Sequence, residues 1–159
     1  MYKSLFFLTL SAILAIALFA ACETDNSIPV GDLPSAVKIY VETNYPGYTI
    51  DEAEQETDCA GAKVYDVEIE QGEDKELELT FDESGNFLYS ETEIGTGELP
   101  AAVTNSIASN YAGYSTDEAD KLNMADGSTR FAVELEKGKT DKEVLFDSEG
   151  TVICEQDEQ

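Results

Sequence analysis

Apolar residues at helical spacing predict one helix early in the chain. These residues are Leu33, Ala36, Val37, Tyr40 and Val41. Their spacing of i, i+3, i+4, i+7 and i+8 places them on one face of an α-helix. Pro34 suits the first turn, where its missing N–H costs nothing, and Pro46-Gly47 is a helix stop. The sequence therefore predicts an amphipathic helix between Pro34 and Pro46.

Alternation of apolar and polar residues predicts strands after this helix. The apolar positions are Tyr65, Val67 and Ile69 in one segment and Leu77, Leu79 and Phe81 in the next. Such alternation is typical of a strand with one buried and one wet face. Asp82-Glu83-Ser84-Gly85 is a hairpin turn before a last short strand at Phe87-Leu88-Tyr89. Residues 48–57 alternate poorly and could start a helix, but we interpret them as the first of four antiparallel strands.

The same pattern returns about 66 residues later. Asp32-Leu33-Pro34 is matched by Glu98-Leu99-Pro100, and Asn44-Tyr45-Pro46-Gly47-Tyr48 by Asn110-Tyr111-Ala112-Gly113-Tyr114. The sequence thus predicts an α+β fold of two tandem repeats, 32–94 and 97–159, each a helix packed on a four-stranded antiparallel β-meander. One such unit buries little apolar surface, so two units side by side could share a continuous sheet.

The first 21 residues have the composition of an export signal. Lys3 precedes an apolar run that is too short for a stable membrane span, and small residues end it. Leu18-Phe19-Ala20-Ala21 before Cys22 resembles a bacterial lipobox, which implies cleavage there and acylation of Cys22. The alternative is an ordinary signal peptide with an unmodified Cys. Residues 22–31 are then a short tether. The predicted product is a lipoprotein of the bacterial envelope, anchored at the periplasmic or the cell-surface face of the outer membrane.

The chain is strongly acidic, and its acids follow the predicted strands. There are 34 acidic and 9 basic residues, for a formal charge of −25. Such a charge argues against nucleic acid and against an anionic membrane surface, so the membrane is contacted only through the lipid on Cys22. The candidate binding residues share the wet strand face and are Asp66, Glu68, Glu70, Glu76, Glu78, Glu134, Glu136 and Glu143. They form either a solvated face that blocks edge aggregation or a surface for a basic protein or peptide.

No sequence pattern predicts catalysis, a cofactor or a metal site. The chain has no His and no Gly-rich phosphate loop, and its many carboxylate pairs carry no glycosidase signal. Asp82-Glu83-Ser84-Gly85-Asn86 and Asp147-Ser148-Glu149-Gly150 offer oxygen ligands but lack the spacing of a calcium loop. Weak association of divalent cations with the acidic face stays open. The lack of Trp argues against carbohydrate binding.

Two cysteines remain once Cys22 is assigned to the lipid. Cys59 and Cys154 do not occupy equivalent positions in the two repeats, so a disulfide between them would join one repeat to the other. The alternative is two separate thiols, because sequence does not show whether the Cα atoms come within bonding distance.

The repeated residues resemble a known family. Two copies of Leu-Pro-x-Ala-Val, Asn-Tyr-x-Gly-Tyr, Val-Glu-(Ile/Leu)-Glu and Phe-Asp-x-x-Gly behind a lipobox are similar to the PepSY-like, beta-lactamase-inhibitor-protein-like domain. The resemblance implies a tandem helix-on-sheet fold. In the inhibitor relatives, the open face of the sheet binds a target enzyme. We therefore expect a non-catalytic, protein-binding envelope lipoprotein, with an inhibitor-like role. The alternative is a structural or cation-associating lipoprotein with no specific partner.

Overall fold

The computed structural model describes residues 26–72 and 76–158. The predicted signal, Cys22 and the start of the tether lie outside this part of the chain. The helices are α1 (Ser35–Asn44) and α2 (Ala101–Asn110). The strands are β1 (Thr49–Thr57), β2 (Lys63–Glu70), β3 (Glu76–Asp82), β4 (Phe87–Glu91), β5 (Ser115–Met124), β6 (Thr129–Lys137), β7 (Thr140–Asp147) and β8 (Val152–Glu158).

One antiparallel sheet contains all eight strands in chain order, from β1 at one edge to β8 at the other. The repeats meet where β4 pairs with β5, with Tyr89 opposite Met124 and Ser90 opposite Asn123. Hydrogen bonds between Thr92 and Lys121 extend this seam beyond the end of β4. The predicted α+β class is therefore confirmed, and the two repeats share a continuous sheet.

Two separate apolar clusters form the core, and each contains residues from one repeat. In repeat 1 the cluster joins Val37 and Val41 of α1 to Val67, Ile69 and other buried strand residues. In repeat 2 it joins the equivalent helix and strand residues, which are Val103, Ile107, Val133, Leu135, Val144 and Phe146. Burying these side chains away from water is the main stabilising contribution to the fold. Core residue Leu79 pairs with Ser90, and Ser90 pairs with Asn123. Asn123 lies on the same side of β5 as core residue Ala119. Both helices therefore cover one face of the sheet.

The hairpin turns are the predicted ones. The Asp82 carboxylate accepts hydrogen bonds from the backbone N–H groups of Ser84 and Asn86, each at 2.9 Å. Asp147 does the same in repeat 2. Gly85 and Gly150 have φ of 81° and 79°, which side chains on L-residues disfavour. The repeated Asp-x-x-Gly sequence is thus a local rule for closing these hairpins.

The structure confirms one sequence-based interpretation and adds a contact that the sequence did not indicate. The ambiguous segment is β1, because Ala53 joins the core of repeat 1 and the strand pairs with β2. The end of the predicted tether is not free of the domain. The Ile28 N–H donates to the Ala53 carbonyl at 2.8 Å, and Ser27 bridges to Glu54. Residues 26–31 therefore pack along the edge strand β1, since an open edge offers unpaired backbone groups.

Candidate binding face

The strand register places all eight predicted acidic residues on the face of the sheet opposite the helices. Glu68 lies across from Glu78, Glu70 from Glu76, and Glu134 from Glu143. Neighbouring positions such as Val67 and Val133 point into the helix-covered cores. Because side chains alternate along a strand, the acids share the other face, which we call the inner face.

Burial differs among these residues. Glu76, Glu78 and Glu136 are exposed, whereas the remaining five are half-buried. Asp66 accepts a hydrogen bond of 2.6 Å from the hydroxyl of Thr80, and Thr80 is 1% exposed. Asp66 is therefore part of a packed polar cluster, whereas the sequence analysis grouped it with the solvated acids.

A disulfide explains why part of this face is enclosed. Cys59, in the loop after β1, is bonded to Cys154 of β8, with their Cα atoms 6.0 Å apart. Strands β1 and β8 are the two edges of the sheet, so the bond brings opposite edges together at one end. The sheet must curve to permit this, and the inner face lies on the concave side.

A cavity of about 400 Å³ lies on the inner face beside the disulfide. Residues from both repeats line it, including Glu56, Asp66, Tyr89 and Glu91 from repeat 1. Repeat 2 contributes Leu122, Arg130, Ala132, Glu143, Leu145 and Ile153. Of the predicted acidic residues, only Asp66 and Glu143 line this cavity, while Glu70, Glu76 and Glu136 lie outside it.

Burial, with repulsion among neighbouring acids, raises the pKa of several carboxylates around the cavity. Burial raises the pKa of Glu91 to about 8, and the charges of Glu78, Asp120, Asp66 and Glu143 add to the effect. The pKa of Asp120 is raised by burial and by neighbouring acids, and burial also raises the pKa of Asp66. Desolvation and like charges both disfavour ionised carboxylates. The inner face is thus a concave region of concentrated negative potential.

Residues at the centre of this region were missed by the sequence analysis. Glu56, Tyr89 and Glu91 line the cavity, but none was a candidate. Glu56 lies in the segment with poor alternation, and Glu91 ends a strand whose two faces both carry apolar residues. Only the pairing of Glu91 with Glu78 and of Tyr89 with Thr80 identifies their face.

Within residues 26–72 and 76–158, no cluster of three or more acidic or cysteine side chains has the arrangement to hold a metal ion. Neither helix in the described part of the chain has the length and apolar composition needed to cross a membrane.

Most of the folded region matches one family. The model of the family described as "Putative beta-lactamase-inhibitor-like, PepSY-like" matches residues 22–89 and again 63–154. This chain belongs to the PepSY-like family. The two overlapping matches agree with tandem repeats that share one sheet. No curated protein matches the chain.

Solved structures of Bacteroides proteins share the fold. A DUF2874 family protein from Bacteroides uniformis is 21% identical, with a TM-score of 0.55 over 78% of this chain and 88% of that one. A BLIP-like protein from Bacteroides fragilis is 26% identical, with a TM-score of 0.51 over 82% and 87%. A "putative periplasmic" protein from Bacteroides eggerthii is 19% identical, with a TM-score of 0.55 over 79% and 88%. None of these descriptions names a catalytic activity.

Proposed function

We propose that this chain is a non-catalytic envelope lipoprotein that binds a basic protein or peptide through the inner face. The single observation that carries the proposal is the concave, helix-free face on which like-charged carboxylates converge without an equal number of cations. A positively charged partner would relieve this repulsion and would also be steered towards the face.

Fold relationships support a binding role and suggest the kind of partner. The Bacteroides fragilis neighbour is described as BLIP-like, and the family description refers to inhibitors of an enzyme. A more specific version of the proposal is therefore that the partner is an enzyme. The acidic composition of this inner face requires basic residues on that enzyme.

The cellular location and domain boundaries belong to the same proposal. The first 21 residues act as a lipoprotein signal, Cys22 carries the lipid, and the chain faces the periplasm or the cell surface at the outer membrane. The periplasmic description of the Bacteroides eggerthii protein supports export. Each repeat, 32–94 or 97–159, is a helix packed on its own four-stranded meander, which the two separate apolar clusters support.

Charge reversal tests the proposed face. The triple variant Glu68→Lys, Glu78→Lys, Glu134→Lys should lose capture of a partner from an envelope extract of the same cell. A matched control reverses exposed acids away from the inner face, with the substitutions Glu42→Lys, Glu83→Lys and Glu149→Lys. Both variants have the same net charge, so a difference in partner capture between them depends on where the reversed charges lie.

The expected result is one stoichiometric protein that the wild type and the control variant capture and the inner-face variant does not. Capture should weaken in high salt, because the interaction is largely electrostatic. Equal capture by all three proteins would refute the inner face as the docking surface. Capture by none of them, with all three folded, would favour the structural lipoprotein.

A further inference from the structure

The cavity on the inner face has two chemically different walls. Repeat 1 supplies Glu56, Asp66 and Tyr89, and the equivalent positions of repeat 2 hold Leu122, Ala132 and Cys154. Leu145 occupies the position equivalent to Thr80 and adds to the apolar wall. Duplication followed by divergence has therefore placed a mainly acidic wall opposite a mainly aliphatic one.

In the described part of the chain, no ion pair joins a cation to the acids that line this cavity. The two ion pairs in residues 26–72 and 76–158 lie outside the cavity, and both join Lys142 to acids of β8, Glu155 and Asp157. Arg130 lines the cavity, but it forms no ion pair with Glu56, Asp66, Glu91 or Glu143. Glu143 repels Glu56 on β1 and Glu91 on β4 across the cavity. The site therefore offers acidic groups without a cationic partner together with apolar surface.

The dimensions fit one amphipathic group. The cavity measures about 400 Å³. A four-carbon stem with a terminal ammonium has five heavy atoms, which at the volume of a water molecule each occupy about 150 Å³. The space thus holds one such group with some water, but it does not hold a folded segment of another protein.

We propose that this cavity receives one lysine side chain of the partner, with its aliphatic stem against Leu122, Leu145 and Ile153 and its ammonium among Glu56, Asp66 and Glu91. This inference rests on the proposed function, because it names the partner group that enters the inner face. Lysine fits because its charged end binds carboxylates while its stem covers apolar surface.

The probe is n-butylammonium chloride, which reproduces the lysine stem and charge. The full chain, isolated from membranes in detergent, is titrated at pH 8.5, above the pKa of Glu91, and the methyl NMR signals of Leu122, Leu145 and Ile153 are followed. We expect saturable shifts with a millimolar Kd, as a single small group has few contacts. 1-Butanol, which has the stem without the charge, should bind about tenfold more weakly, and ammonium chloride should leave these methyl signals unshifted.

Two variants separate the cavity from the rest of the acidic face. At pH 8.5, where Glu91 is mostly ionised, the double variant Glu56→Gln, Glu91→Gln should weaken n-butylammonium binding about tenfold, since both ammonium partners become neutral. The matched control, Glu70→Gln with Glu76→Gln, removes the same charge on the same face outside the cavity. It should change the Kd by less than about twofold.

Three results would overturn the lysine pocket. Equal shifts with 1-butanol would indicate an apolar void, and equal loss in both double variants would indicate diffuse charge attraction. Methyl shifts that depend on protein concentration without any amine would indicate that a second copy occupies the face. Each can occur while the charge-reversal capture experiment still succeeds, so failure of the pocket is distinguishable from failure of the protein-binding role.

Discussion

The two repeats have the same topology but fill their cores differently. In repeat 1, Tyr40 of α1 stacks on Phe87 with ring centroids 4.7 Å apart and meets Phe81 edge-on at 5.4 Å. The positions equivalent to Tyr40 and Phe87 in repeat 2 are Ser106 and Val152. Repeat 2 therefore lacks this aromatic group.

The smaller side chains in repeat 2 are accompanied by a closer approach of its helix to the last turn. A Cβ on Gly150 would lie 2.6 Å from the backbone carbonyl carbon of Ala102, whereas a Cβ on Gly85 would meet the side chain of Ala36 at 3.0 Å. The same turn thus faces a side chain in repeat 1 and backbone in repeat 2. A fold can therefore be kept through duplication while the distance between its layers follows the size of the core residues.

The inner face shows the same divergence in polar form. Glu78 opposes Glu91 in repeat 1, and their repeat 2 equivalents are Glu143 and Gln156. The Gln156 amide donates a hydrogen bond to the Glu143 carboxylate at 2.5 Å. The two carboxylates of repeat 1 repel each other, whereas the pair in repeat 2 is hydrogen-bonded. One amide in place of one carboxylate accounts for this difference.

The largest expected effect comes from separating the edges that the two repeats contribute. The double variant Cys59→Ser, Cys154→Ser removes a bond that spans 95 residues of chain. Its free energy of unfolding should fall by about 4 kcal/mol, because the unfolded chain regains loop entropy. Urea unfolding measures this change. Wild type in reducing agent should match the variant, and a variant as stable as the oxidised wild type would contradict the expectation.

The next effect compares the two turns. Gly150→Ala should cost about 3 kcal/mol, and Gly85→Ala about 1 kcal/mol. Both substitutions place a side chain at positive φ, but only Gly150 faces backbone, which cannot rotate away. Urea unfolding of both variants gives the comparison. Equal losses would show that the layers relax equally in the two repeats.

Removing the aromatic group tests the core difference directly. Tyr40→Ser gives repeat 1 the residue found at this position in repeat 2 and should cost about 2 kcal/mol, since ring contacts with Phe81 and Phe87 are lost. Ser106→Ala should change the stability by less than about 0.5 kcal/mol. Thermal unfolding of both variants checks the values. A similar loss from both would mean that the ring adds no net packing energy.

The smallest expected effect comes from a substitution that makes the Glu78–Glu91 pair of repeat 1 resemble the Glu143–Gln156 pair of repeat 2. The pKa of Glu91 is raised to about 8, so the folded state holds its proton more tightly than the unfolded chain, whose pKa is near 4.5. Its stabilising contribution is present below pH 4.5 and is lost as the pH rises through 8. Glu91→Gln should therefore be about 1 kcal/mol more stable than wild type at pH 9 and close to it at pH 5.

The groups that face Glu91 are Glu78 on β3, Asp120 on β5, Asp66 on β2 and Glu143 on β7. Gln156→Glu provides the reciprocal control, since it introduces the carboxylate pair into repeat 2. It should lower stability at pH 9 and not at pH 5. Urea unfolding across this pH range measures both variants. If Glu91→Gln kept the wild-type pH dependence of stability, Glu91 would not be the group responsible for it.

The sequence by itself determined the repeat, both helices, the hairpin turns and the core-facing side of β2, β3, β6 and β7. These features follow from local periodicity: apolar spacing marks α1, alternation marks β2 and β6, and Asp-x-x-Gly closes the hairpins. The common face of Glu68, Glu78 and Glu134 could be predicted for the same reason.

The tertiary structure decided how that face is shaped and which residues meet there. The curvature depends on Cys59 and Cys154 lying within bonding distance, which is a property of the folded chain. Convergence of Glu56, Glu91 and Glu143 on one cavity requires strands β1, β4 and β7 to approach across the curved sheet. Such contacts link residues far apart in the chain, so no local pattern contains them, and burial at that point raises the pKa of Glu91.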